Sequence, residues 1–579
     1  MRRLLLLAPA LAGLALVVPA VLAAQQGGIS KAFDLERRGS YAEAAEAYRT
    51  ILAARPTDVA ALLGLERSLV PLNRSADILP QVTAALARSP TSGAVYGVAL
   101  RAYATAGRMD SVRSVAERWG KAAPGDEAPY REWGAAALQQ QDRATAREAY
   151  ALGRSRLGRP DALAAEMAQL AASDADYVGA LREWLLAVRR LPGYRTTAVS
   201  TLSPAPEGVR PALLRTLSES GDLTARRIEA ELRVRWGDPL GGLSALDAAL
   251  PASRAVAVDA LRGLLDQLRN ARGQEAELAQ ARTLEAIATR SDEPQASRVR
   301  LQAAQTYSAA GDLVSARRML TGLADDVGTP GPVSSGAATT LVEVLIGDGK
   351  LEEAARRLEE LRPTMPGDEY EALRQRIALG WIRAGDLAKA DSTIGADSSV
   401  DALAVRGRIR LYRGEVAAAV EAFKQAGPFA GDRADATRRT MLLALLQPIE
   451  ADTLPALGDA LWRLERGDTA AAGPALEDLA ARLPPSKGGA ELRLLAGRLA
   501  AAQNRSDAAE RLYRAAATNQ APGTAPAAEL ALAELLIREE RRDDAVTLLE
   551  HLILTYPESA LVPQARRLLD QTKGAVPQT

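Results

Sequence analysis

One interval organises this chain. Gly39, Asn73, Gly107 and Gln141 stand 34 residues apart, and a further step of 34 reaches Ala175 inside Ser173-Asp174-Ala175-Asp176-Tyr177. Five residues after each comes a small or β-branched apolar residue: Ala44, Ile78, Val112, Ala146 and Ala180. Four further on stand Tyr48, Val82, Ala116, Tyr150 and Trp184, and seventeen after each turn stand Pro56, Pro90, Pro124, Gly158 and Pro192. Three columns sharing one period mark an internal repeat. The turn residue needs access to positive φ so that one helix can end and the next begin. The small residue lets two antiparallel helices approach, and the larger one, a turn later on the same face, fills the gap beside them. Proline ends the second helix and suits the first turn of the next. Length alone suggests about four domains at roughly 150 residues each; a repeat collapses them into one array.

The unit Gly39, Tyr41, Glu43, Ala44, Tyr48 and Pro56 resembles the tetratricopeptide repeat. The pattern returns downstream at looser spacing as Gly311 with Ala316, Gly349 with Ala354, and Gly385 with Ala390. Gly414 leads to Ala419 and Phe423, and Gly467 to Ala472, Leu476 and Pro484. A weaker unit sits near Asp507-Ala508-Ala509, and the last runs from Arg541-Arg542 through Ala545 and Leu549 to Pro557. The resemblance implies an all-α, right-handed α-solenoid of about a dozen helix pairs, irregular in the middle. The regular array is expected over 29–200 and a second over 297–573, with 574–579 as a disordered tail. Over 201–296, Gly221, Gly237 and Gly273 mark turns without the other columns, so degenerate helical hairpins are expected. Residues 203–208, 328–336, 484–489 and 520–523 read as loops that bend the array. No alternating β pattern of useful length occurs.

Composition removes most chemistry. Without cysteine there are no disulfides, thiol nucleophiles or zinc fingers, and with one histidine there is no two-histidine metal site. Lys+Arg and Asp+Glu balance at 72 each, which leaves no electrostatic footprint for nucleic acid. The one histidine, His551, lies in Leu548-Leu549-Glu550-His551-Leu552 and reads as a helical residue without catalytic partners. Glu558-Ser559 superficially matches the catalytic Glu-Ser of lytic transglycosylases. Its place at the repeat end makes Ser559 the expected cap of a final helix from Ala560 to Asp570. No catalytic, cofactor-binding or metal residues are expected.

The first residues read as an address. Met1-Arg2-Arg3 precedes an apolar run from Leu4 to Leu22, broken by Pro9, Gly13 and Pro19, and Val21-Leu22-Ala23 supplies small residues at a cleavage site. This is the pattern of a Sec-type signal peptide over 1–23. Export to the bacterial periplasm or beyond follows as an expectation, with no lipid anchor for want of a cysteine and no membrane span after cleavage. Tyr556-Pro557-Glu558-Ser559 with Ala565-Arg566-Arg567-Leu568 resembles the repeat ends of bacterial envelope helper proteins.

In tetratricopeptide arrays the first helix of each pair lines the groove. Arg67 and Arg101 stand six residues before Asn73 and Gly107, and Arg131 ten before Gln141, which makes an arginine ladder for partner carboxylates. Further along, Gln305, Glu343, Arg408 and Glu534 give the corresponding positions mixed polarity. The function expected is a non-enzymatic exported scaffold that binds envelope proteins in its groove. The alternative is a helical accessory or catalytic component of periplasmic glycan processing or export. That reading calls for aromatic platforms, and the six tryptophans fall mostly at packing columns.

Overall fold

The structure, a computed structural model, describes residues 28–324, 332–427 and 433–574. The expected signal peptide, residues 328–331 of one expected loop and residues 575–579 of the expected tail lie outside them. The chain divides into two compact units, Met1–Ser291 and Asp292–Thr579. Each is a stack of antiparallel helix pairs, and no strand occurs among the described residues.

Unit 1 opens with a helix over 28–37 paired with Tyr41–Ala54. Val59–Leu69 then packs on the short turn of helix Ser75–Ile78 that leads into Leu79–Arg88, while Gly93–Thr105 pairs with Met109–Ala122, Ala128–Gln139 with Arg143–Leu157, and Ala164–Ser173 with Tyr177–Arg190. Successive first helices also pack on one another, as Val59–Leu69, Gly93–Thr105 and Ala128–Gln139 do. Every turn in the 34-residue column is left-handed, with φ of 80° at Gly39, 53° at Asn73, 69° at Gly107, 60° at Gln141 and 61° at Ala175. After each, an amide reaches back to a carbonyl five residues earlier, as Ser40 N does to Leu35 O and Asp176 N to Ala171 O. This closes the first helix by a Schellman bond. The three turns without the other columns are left-handed too, at Gly221, Gly237 and Gly273. They join or separate Arg195–Leu202, Arg210–Ser220, Leu223–Arg235, Pro239–Asp247, Arg254–Leu268 and Gln274–Thr289.

The small-residue column and the larger apolar column form the core, while Pro90, Pro124, Gly158 and Pro192 are exposed at the helix ends. Ala44, Ala146 and Ala180 have no exposure, and Tyr48, Tyr150 and Trp184 are buried against them. Glycine supplies a notch that the repeat pattern does not show. A Cβ at Gly134 would lie 2.1 Å from the Tyr150 ring, and one at Gly64 would lie 2.2 Å from Tyr48. The second-helix aromatic thus seats directly on first-helix backbone. Burying about 150–250 Å² of aromatic surface at about 25 cal/mol per Å² contributes on the order of 4–6 kcal/mol. An exposed ion pair contributes about 0.2–1 kcal/mol. Apolar packing, not surface charge, therefore decides the stability of the array.

Unit 2 pairs Gln295–Ala309 with Leu313–Ala324, Pro332–Gly347 with Leu351–Leu361, Gly367–Ala384 with Leu387–Ile394, and Val400–Tyr412 with Val416–Ala426. Pro455–Glu465 with Thr469–Arg482, Gly489–Ala502 with Ser506–Ala516, and Ala525–Arg538 with Arg542–Thr555 complete the stack, which Val562–Thr572 caps. Two expectations are corrected. Residues 332–336 belong to a helix, because Pro332 fits its first turn, rather than to a loop. The last helix starts at Val562, not Ala560: Val562 N bonds Ser559 O in a turn, and Ser559 Oγ accepts only a 3.3 Å bond from Leu561 N.

One helix of unit 2, Arg433–Leu446, has no pair. The first helices on either side of it, Val400–Tyr412 and Pro455–Glu465, pack on each other, so it interrupts the chain without interrupting the stack. Only Arg439 and Leu446 of this inserted helix are buried. Its base is pinned where two glycines cross. Leu454 N donates to Gly414 O at 2.7 Å, and a Cβ on Gly458 would lie 2.6 Å from Gly414 N and 2.7 Å from Leu411 O. Beyond the crossing, Trp462 Nε1 donates to Ile382 O at 2.9 Å across 80 residues of sequence.

Candidate partner-binding surfaces

The three expected groove arginines share one face of successive first helices, and each already holds a carboxylate. Arg67 donates to Glu36 through Nε at 2.6 Å and Nη2 at 3.0 Å, and Arg101 to Glu66 at 2.6 and 2.8 Å. Arg131 bonds Glu166 through Nε and Glu127 through Nη2 at 3.0 Å. Glu127 also receives Arg159 and Arg190. The ladder is thus a series of forked ion pairs stitching each repeat to a neighbour. The arginines can be found by counting back from the turns, but apart from Glu127, four residues before Arg131, their acids stand in other repeats, 31 or 35 residues away.

A partner carboxylate at this ladder would replace one already in place. That exchange of like for like yields little net affinity, since each exposed pair contributes only about 0.2–1 kcal/mol. The electrostatics carry a pH signature. The hydrogen bond from Arg67 holds the Glu36 carboxyl below its ordinary value of 4.5, with burial opposing it and Tyr48 assisting. A carboxyl depressed on folding adds stability above its unfolded pKa, and that share is lost as pH falls through the folded value. Acidification below about pH 4 should therefore cost the wild type more stability than Glu36→Gln, by less than about 1 kcal/mol given the exposure of Arg67. Melting curves of both proteins across that range check this; parallel losses would remove Glu36 as the source.

Unit 2 offers a different surface, flanking the inserted helix. On one side lies a cavity of about 340 Å³ against Gly367–Ala384 and Val400–Tyr412, its polar wall made of Arg376, Arg408, Arg438, Arg439, Asp401 and Asp435. Arg376 bonds Glu343, and Glu465 collects Arg438 at 3.5 Å, Arg408 at 3.7 Å and the Tyr412 hydroxyl at 3.1 Å. Arg439 is 4% exposed; its Nε donates to Gly427 O at 2.8 Å, and its Nη2 has no hydrogen-bond partner among the described residues. Nη2 of Arg408, 9% exposed, likewise makes no hydrogen bond there. Burial lowers the Arg439 pKa from the ordinary arginine value, and Arg408 adds to this against Asp435 and Asp401. Unsatisfied buried donors on a cation are costly.

On the other side of the helix lies a cleft of about 540 Å³, lined mainly by Met441, Leu442, Leu445, Leu461, Leu464 and Leu494. Met441 is 57% exposed. Arg438 borders both spaces. Of the residues singled out from sequence, Arg408 lines the arginine cavity and Glu343 touches it only through its bond to Arg376, whereas Gln305 and Glu534 line neither space; Glu534 accepts from Gln564 at 3.3 Å. The insertion carries none of the repeat columns, and nothing in its sequence marked it.

Elsewhere, His551 Nδ1 lies 3.0 Å from the buried Glu529 carboxylate, with its ring edge-on to Tyr556. Among the described residues no group of His, Cys, Asp and Glu is placed to hold a metal ion, and no helix is long and apolar enough to cross a membrane.

Left-handed Schellman turns, small-residue columns and helix pairs stacked on their neighbours define a tetratricopeptide-like α-solenoid. No family model matches the chain, and no curated protein matches it. Solved structures that align with it include Naa15/Naa10 bound to HypK-THB, at 14% identity over 95% of this chain and 97% of that one, with a TM-score of 0.21. The APC/C hetero-tetramer Cut9-Hcn1 aligns at 14% identity over 93% and 95%, TM-score 0.21. The P58(IPK) TPR domain aligns at 13% over 73% and 97%, TM-score 0.17. Scores this low carry no argument, so the class rests on the chain's own geometry.

Proposed function

We propose that the chain is an exported, non-enzymatic scaffold that binds protein partners on its first-helix faces, in assembly, secretion or maintenance of the bacterial cell envelope. The observation that carries the binding reading is the apolar cleft beside the inserted helix, with Met441 left in water at its edge. Methionine is unbranched and adaptable, and it recurs where a surface must fit a partner's side chains. The export reading rests on residues 1–23 and the envelope reading on the resemblance of the last repeat.

The tryptophans support a protein ligand over a glycan. Trp119, Trp133, Trp184 and Trp381 are buried, and Trp236 and Trp462 spend their indole N–H on the carbonyls of Ser203 and Ile382. None is laid out as an open platform for a sugar ring.

Affinity capture from cross-linked envelopes tests the reading. Wild type should retain a discrete partner that Met441→Asp loses by about tenfold or more, because a carboxylate would enter an apolar contact. The Arg67→Ala/Arg101→Ala/Arg131→Ala protein tests the ladder separately. A partner lost only from the triple variant would move the binding face to unit 1, and glycan cleavage by purified protein would overturn the scaffold reading.

A further inference from the structure

We infer that the arginine cavity of unit 2 is a carboxylate-binding site for an acidic side chain of a partner polypeptide, whose neighbouring apolar residues lie in the cleft across the inserted helix. This deepens the protein-binding reading and rests on it.

Three observations converge. First, two guanidinium groups that are at least nine-tenths buried, Arg408 and Arg439, line the cavity, each with an Nη2 that lacks a hydrogen bond among the described residues. A buried cation with donors to spare is stabilised most by an incoming anion, and the flat guanidinium fork matches a carboxylate. Second, the acids around the cavity are already engaged: Asp401 and Asp435 stand in its wall and act on Arg439 through space, without a hydrogen bond to its Nη2. Glu465 is divided among Arg408, Arg438 and Tyr412, and Glu343 holds Arg376. Unlike the unit 1 ladder, the site gives an arriving carboxylate the Arg439 Nη2 donor, which no internal acceptor among the described residues would have to surrender, while Arg408 Nη2 stands 3.7 Å from Glu465, beyond hydrogen-bond distance. Third, the cavity and the apolar cleft share Arg438 and Leu442, so they are two faces of one structure. A ligand satisfying both carries an acid beside apolar side chains, which a polypeptide segment does and a small free acid does not.

The test uses the full mature chain and a pool of short random peptides with amidated C-termini, so that any carboxylate comes from a side chain. Captured peptides should be enriched in Asp or Glu flanked by large apolar residues. Replacing the acid by its amide should weaken binding about tenfold or more. Arg439→Met should erase the acid preference while the melting temperature holds or rises, because an unsatisfied buried charge is replaced by an apolar chain of similar length. Arg439→Lys, which keeps the charge but loses the fork, should restore part of the preference. Peptides captured without acid preference would overturn this inference and leave the protein-binding reading standing; no capture at all would sink both. An acid preference unchanged in Arg439→Met, or glutarate binding as tightly as the peptides, would also overturn it.

Discussion

Trp184→Ala should cost about 3–5 kcal/mol, the usual penalty for truncating a fully buried aromatic, and should do so locally. Trp184 has no exposure and packs among Ala180, Leu181, Val199, Leu202 and Leu213 of unit 1, with Tyr194 tilted against its ring at 6.1 Å. Its indole Nε1 is buried without a hydrogen-bond partner among the described residues. Trp184→Phe should therefore be far milder, since it keeps much of the volume and removes an unsatisfied donor. In an array whose pairs touch only their neighbours, damage stays near its origin. Hydrogen exchange of Trp184→Ala should show lost protection over roughly residues 164–217, with the pair at 28–54 unchanged. Loss spread evenly over unit 1 would contradict a nearest-neighbour stack and indicate one cooperative block.

Gly458→Ala should cost about 3 kcal/mol or more, at the upper end for overpacking. A methyl group there would lie 2.6 Å from Gly414 N, 2.7 Å from Leu411 O and 2.8 Å from Tyr412 O, all backbone atoms that no rotamer change can move aside. Where a new atom meets only a side-chain end, as at Gly97 against Arg101, the neighbour can swing away. The damage should appear first in the base of the insertion, including the Leu454–Gly414 hydrogen bond. Denaturation of unit 2 reports on it, as does amide exchange at Leu454 and at Ala417, whose N–H donates to Asp452 O at 3.2 Å. Gly97→Ala serves as the control that should be nearly silent, and equal costs at the two sites would remove backbone crossing as the cause.

The 34-residue period made the helix pairs of 29–190 legible, because each column answers a local demand: positive φ, close approach, helix termination. Where glycine is missing from the turn and the spacing also departs from 34, that legibility fades. Asn504 and Glu540 are left-handed turn residues, with φ of 57° and 63°. Neither was singled out as a turn, although Asp507 and Ala545 just beyond them were read as repeat positions. The groove arginines could be found by counting from the turns, while their acid partners could not, since those bonds depend on how one repeat seats on the next. The glycine notches lie on facing helices, Gly134 in the first helix of the pair that holds Tyr150 and Gly64 in the pair after that of Tyr48, so they share no single column. The arginine cavity was least legible. Arg439 looks like any helical arginine in Arg433–Leu446, and only the packing of that helix on Val416–Ala426, with the bond to Gly427 O, buries it.

The bond from Trp462 to Ile382 bears on the order in which unit 2 can assemble. Most contacts of a stacked-pair protein close within one or two neighbouring helices, so their loops are short and quickly made. This one waits until 80 residues have come together. Closing a chain segment of that length costs about 2–3 kcal/mol more entropy than closing a single turn. The Gly367–Ala384 helix is synthesised well before its partner, and its Ile382 carbonyl has no protein donor from Trp462 until the insertion and the following helix have been made. Unit 2 therefore carries a late step that plain repetition would not impose, set at the same place where the insertion joins the stack.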